Sequence, residues 1–82
     1  MQITIRYFAA ARAAAGANST VVDVTADTTL GDLETTLAHD NPDLGRVLAR
    51  CSYLRDSIAL CDRTVALGHC ETIDVLPPFA GG

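Results

Sequence analysis

The amino-acid sequence predicts an α+β fold in which a mixed sheet packs on one main helix. Three observations lead there. Met1, Ile3, Ile5 and Tyr7 alternate with Gln2, Thr4 and Arg6, a period of two that puts one face of a strand in a core. Leu30, Leu33 and Leu37 recur at helical spacing behind Thr29 and Asp32, which have the separation of a capping box. Thr72 to Leu76 places Ile73 and Val75 on one face and Leu76 on the other, and Pro77 and Pro78 then remove the next ladder donors.

The elements follow in order from the N-terminus. The first strand opens at residue 1, and Phe8 to Ala15, rich in alanine, reads as a short helix closed by Gly16 at positive φ. Thr20 to Thr25 is β-branched, with Val22 and Val24 facing opposite to Asp23, and forms a hairpin with the first strand. The main helix runs from Leu30 to about Asp40. Pro42 disfavours helical geometry at Asn41, and Leu44, Val47, Leu48 and Cys51 predict a further short helix with Arg46 and Arg50 on its basic side. Ser57 to Cys61 and Thr64 to Leu67, flanking Asp62 and Arg63, read as two strands before the last one. The order β-β-α-β-β-β, with small extra helices, has the outline of a β-grasp, or ubiquitin-like, fold. Residues 1–76 form the domain, and residues 77–82 a flexible, extended C-terminal tail.

Composition narrows the function. A chain of 82 residues buries only about 60% of its unfolded surface, which leaves little for a deep pocket and argues against a self-contained enzyme. With 49% apolar and 20% charged residues it is too apolar for a disordered chain. The net charge is −4, and all six basic residues are arginines, so nucleic-acid binding is disfavoured. No membrane-length apolar run or secretory leader is visible, and the expected location is cytoplasmic. Cys51, Cys61 and Cys70 are odd in number and lack a Cys-x-x-Cys spacing, which predicts reduced, mostly buried thiols and no bound metal. His69 with Cys61 and Cys70 matches no standard ligand set or nucleophile pair.

The chemistry concentrates after the last strand, in Pro77, Pro78, Phe79, Ala80, Gly81 and Gly82. Six residues span at most roughly 20 Å at about 3.3 Å each, enough to enter a partner's active site. Gly81 and Gly82 have no side chains to obstruct a narrow channel, and the α-carboxylate of Gly82 would be ionised at neutral pH. Attack of that carboxylate on the α-phosphate of ATP gives an acyl-adenylate, and a sulfur nucleophile then gives a thiocarboxylate. Phe79 is a candidate to anchor the tail in a partner groove, the alternative being packing back on its own sheet.

Phe8-Ala9-x-x-Arg12 followed by Gly16, and Pro77-Pro78-x-x-Gly81-Gly82, resemble the small subunit of molybdopterin synthase, the MoaD group of the MoaD/ThiS ubiquitin-like sulfur carriers. The resemblance covers nearly the whole chain. It departs at His69-Cys70-Glu71, where relatives carry an Asp-Gly-Asp type turn and where Cys70 at positive φ would be strained, and at Ala13, where relatives often carry an acid. The resemblance implies that Gly82 is the reacting residue. A ubiquitin-activating-like adenylyltransferase would adenylate it with ATP, and a sulfur donor protein would supply the thiocarboxylate sulfur. The carrier would then dock into the molybdopterin synthase large subunit, in a heterotetramer of two small and two large subunits, and give sulfur to cyclic pyranopterin monophosphate in molybdenum cofactor biosynthesis. No cofactor is bound by the chain itself, and the catalytic side chains belong to the large subunit. Phe8 and Arg12 are candidates for a partner surface; the alternatives are core packing for Phe8 and a solvated charge for Arg12. The rival readings are a carrier for thiazole or cysteine biosynthesis, a protein modifier that forms isopeptides, and a binding module acting through its sheet.

Overall fold

The computed structural model describes residues 1–78. Phe79, Ala80, Gly81 and Gly82 of the expected tail lie outside the described residues. Five strands form one mixed sheet: β1 (Gln2–Tyr7), β2 (Ser19–Asp23), β3 (Ser52–Arg55), β4 (Ile58–Ala59) and β5 (Thr72–Leu76), in the order β2-β1-β5-β3-β4. The central pair, β1 and β5, is parallel, and the others are antiparallel. Three helices, α1 (Ala9–Ala15), α2 (Leu30–Asp40) and α3 (Pro42–Leu48), accompany the sheet. This is the α+β, β-grasp architecture expected from the sequence.

The core follows from the alternation. Ile3, Ile5, Tyr7, Tyr53, Ile73 and Val75 point from the sheet into one apolar cluster with Leu30, Leu33 and Leu37 of α2 and Leu44 and Leu48 of α3. The α2 capping box is complete: Asp32 N–H donates to Thr29 Oγ1 at 3.0 Å, and Thr29 N–H donates to Asp32 Oδ2 at 3.1 Å. Gly16 closes α1 at φ 72°, the left-handed conformation that favours glycine. Asn41 caps α3 ahead of Pro42 through its Oδ1, and its Nδ2 donates to the carbonyl of Ala14 at 2.8 Å, so one side chain ties α3 to the end of α1.

The region between α3 and β5 corrects the sequence reading. The expected helix to Cys51 stops at Leu48, and Ser52–Arg55 is a strand that pairs with β5. The turn falls at Asp56 and Ser57, both at positive φ (47° and 71°), as in a two-residue type I′ hairpin, and the following strand keeps only Ile58–Ala59. Asp56 also accepts from the amides of Glu71 and Thr72, an attachment that local pattern does not reveal. Thr64 to Leu67 is not a strand: Ala66 makes one isolated bridge to Thr29. Asp62 Oδ1 accepts from both the amide and the hydroxyl of Thr64, closing a side-chain turn in place of a ladder. The positive φ before β5 falls on Gly68 (66°) and not on Cys70, which removes the strain expected there.

Candidate functional site

The candidate site is the end of the sheet where β5 runs out. Ile73 and Val75 have no exposed surface and hold β5 between β1 and β3. On the opposite face Asp74 sits beside Arg6 in the parallel register, and the guanidinium binds its carboxylate in a fork, Nε to Oδ1 at 2.5 Å and Nη2 to Oδ2 at 2.7 Å. Hydrogen bonding first, and charge second, hold the proton of Arg6 more firmly than usual. Leu76 still pairs with Ser52, and Pro77 and Pro78 then leave the ladder. Of the residues expected to guide the reacting end, these two are described, and they line an open cleft of about 620 Å³.

The rest of that cleft comes from α1 and from α3 with the residues that follow it: Ala10, Arg46, Val47, Ala49 and Arg50. Asn41 fixes this pair of helices through the Ala14 carbonyl. Arg46 makes an exposed ion pair with Asp43 one turn earlier, an arrangement worth little in water. Phe8 and Arg12, the two candidates for a partner surface, are both exposed and line a second, smaller cleft with Arg6, Tyr7, Asn18 and Ser19. The structure thus brings Phe8 and Arg12 together in a cleft other than the one that Pro77 and Pro78 line. Sequence reasoning paired Arg46 with Arg50 by their spacing, but nothing in it connected them to the prolines, because that contact depends on how α3 docks.

The thiols are not arranged for catalysis. Cys51 and Cys70 are buried and burial pushes both thiols up, away from the reactive thiolate; Cys61 is exposed. Among the described residues no group of three or more His, Cys, Asp and Glu side chains could hold a metal ion, and no helix is long and apolar enough to cross a membrane. Beside Cys51, the Tyr53 hydroxyl donates to Glu34 Oε2 at 2.7 Å and lies 3.0 Å from the Leu48 carbonyl, while Arg63 binds the other Glu34 oxygen at 2.7 Å. Burial above all, reinforced by Glu34, pushes the Tyr53 phenol well above its usual range. That cluster joins α2 to β3 and the loop after β4, and its role is structural.

No family model matches the chain, and no curated protein matches it in sequence. Solved structures do. The chain is similar to small archaeal modifier protein 1 of Haloferax volcanii at 27% identity and a TM-score of 0.81, over 100% of both chains. A Pyrococcus furiosus protein proposed as molybdopterin converting factor subunit 1 is 15% identical with a TM-score of 0.81, over 96% of this chain and 99% of that one. Subunit 1 in the Helicobacter pylori complex of molybdopterin-converting factor subunits 1 and 2 is 18% identical with a TM-score of 0.70, over 100% of both. The chain has the ubiquitin-like β-grasp fold that these structures share.

Proposed function

We propose that the chain is a ubiquitin-like sulfur carrier that serves molybdopterin formation, with Gly82 as its reacting residue. The observation that supports this reading most is the mounting of β5. The most deeply held strand of the sheet ends at two prolines beside an open cleft in which, among the described residues, there is no nucleophile and no general base. Such an end is suited to delivering a terminus to another protein's chemistry. The Gly82 carboxylate attacks the α-phosphate of ATP within a ubiquitin-activating-like adenylyltransferase, releasing pyrophosphate. Sulfide-level sulfur supplied by a donor protein then attacks the acyl carbonyl, forming the C–S bond as the C–O bond to AMP breaks, and leaves the thiocarboxylate. Phe79, Ala80 and Gly81 follow Pro77 and Pro78 into the partner's channel in this reading. The Helicobacter pylori relative is solved in complex with its subunit 2, which supports a large subunit as the acceptor partner.

A second reading is favoured by a specific observation: the full-length likeness at 27% identity is to an archaeal modifier protein. In that role Gly82 would form isopeptides with lysines of target proteins. The chain contains no lysine, so it could be attached singly but could not build lysine-linked chains of itself.

The deciding experiment compares the carboxylate and thiocarboxylate forms of the full chain, each mixed with the large subunit encoded by the same organism and cyclic pyranopterin monophosphate. Dithiolene formation with the thiocarboxylate alone supports the carrier reading. No product, alongside a working control pair, rejects the molybdopterin role, and higher-mass conjugates in source cells would then establish the modifier. Deleting Gly82 abolishes transfer and leaves folding stability nearly unchanged; full activity without Gly82 would reject both readings.

A further inference from the structure

Charge is distributed unevenly along the strand axis. The end opposite the exit of β5 carries Asp23 at the close of β2, Asp27 in the loop after it, Asp32 at the start of α2, Asp56 in the β3–β4 turn and Glu71 before β5. Arg55 lies toward that end with its guanidinium turned onto the carbonyls of Ala66 and Leu67. Two further arginines are neutralised at mid-molecule, Arg6 by Asp74 and Arg63 by Glu34. Arg12, Arg46 and Arg50 remain, all exposed and all on or just after α1 and α3, with Asp40 and Asp43 as the nearby carboxylates in sequence. Arg12 and Arg50 make no side-chain hydrogen bond or ion pair among the described residues, and the pair of Arg46 with Asp43 is open to water.

The two ends stand about 17–20 Å apart, the length of a strand of this size, which exceeds twice the Debye length of about 8 Å at physiological salt. A partner approaching the exit of β5 therefore meets Arg12, Arg46 and Arg50 offset by Asp40, Asp43 and the Gly82 carboxylate. This is a nearly neutral end with exposed guanidinium groups, and not the net charge of −4 carried mainly by the far end. We propose that the cleft beside Pro77 and Pro78 is a docking surface for an acidic segment of the enzyme that adenylates the C-terminus. Arg46 and Arg50 are its cationic contacts, and the apolar floor of Ala10, Val47 and Ala49 seats the segment's backbone. The occupant follows from charge complementarity and from the position of the cleft, whose wall is formed by Pro77 and Pro78 where the chain leaves β5. Arg12 adds an exposed guanidinium in the second cleft. The acidic pole is repelled by the same partner, so the field turns the molecule with its β5 exit forward and raises the association rate.

The identity of the partner rests on the carrier reading; the surface itself does not. Two measurements separate them. In the first, ¹⁵N-labelled full chain is titrated with an octaglutamate peptide. Amide shifts confined to α1, α3 and residues 49–51, and abolished in the Arg46→Glu/Arg50→Glu double variant, are expected. Shifts absent or located elsewhere overturn the surface. In the second, ATP–pyrophosphate exchange is followed with the adenylating enzyme of the same organism. The double variant is expected to lose about tenfold in kcat/KM at low salt with kcat retained at saturation, the deficit closing as salt rises, and Arg46→Lys/Arg50→Lys to keep wild-type values. Unchanged kcat/KM in the charge-reversed chain overturns the docking role. Peptide shifts at α1 and α3 with no exchange by the wild-type chain overturn the carrier reading and leave an acidic-segment site in place.

Discussion

Ile73 and Val75 have no exposed surface, whereas Pro77, only two residues beyond Val75, is half-buried and Pro78 is exposed. Within that short distance the backbone passes from a strand hydrogen-bonded on both sides to a segment outside the ladder. The contrast separates the anchoring of β5 from the release of the chain beyond it. β5 is held by β1, β3 and the core, so little movement of its end is tolerated, while the two prolines remove donors that could prolong pairing. Stability and function should therefore respond to substitutions on opposite sides of Leu76.

The largest expected effect lies on the anchored side. Ile73→Ala should cost about 3–4 kcal/mol in chemical denaturation, through lost burial and the cavity left behind. A cost below that of Pro77→Ala would break the contrast. Next is Gly45→Ala, because a Cβ there would stand 2.5 Å from the Ala38 Cβ across the contact of α2 with α3. About 1–3 kcal/mol is expected, and a neutral result would mean that the two helices can move apart. Tyr53→Phe removes the hydrogen bond to Glu34 and should cost about 1 kcal/mol at neutral pH. It also carries a pH signature. The folded phenol is held above its ordinary value of about 10, so the unfolded chain ionises first; stability is intact below that pH and falls as pH rises above it. Melts from neutral to strongly alkaline pH should show a shallower decline for the variant, and parallel curves would contradict the assignment. The smallest effect on stability is expected from Pro77→Ala, about 0.5 kcal/mol or less, with a measurable loss of transfer rate to the partner. Equal transfer rates would show that the prolines serve only to end the strand.

Legibility in the sequence followed the same boundary between local and distant causes. β1, α1, β2, α2 and β5 were readable because each has its own period or cap: the alternation of residues 1–7, the glycine at 16, the Thr29 and Asp32 box, the β-branched run at 72–76. β3 was not, because Tyr53 and Leu54 follow a helical spacing that reaches Cys51, and because its turn uses Asp56 and Ser57 where a glycine would have announced positive φ. The register there is set by pairing with β5 and by Asp56 reaching the amides of Glu71 and Thr72. Of the site, the prolines and Arg46 with Arg50 were visible in the sequence as separate features. Their meeting depends on Asn41 tying α3 to α1, a contact across 27 positions that no local pattern encodes.

The parallel pairing of β1 with β5 has a kinetic consequence. Arg6 and Asp74 are 68 positions apart, so the centre of the sheet cannot close until almost the whole chain is available, and the entropy of that closure precedes its reward. During synthesis the first strand must wait for the last. A chain cut short before residue 72 would lack the middle of its sheet, and a complete but unfolded chain would present the same final residues without a fixed base. The topology thus makes the direction in which the chain leaves β5 a certificate of completed folding, because that direction is set only once β1 and β3 have both paired with β5.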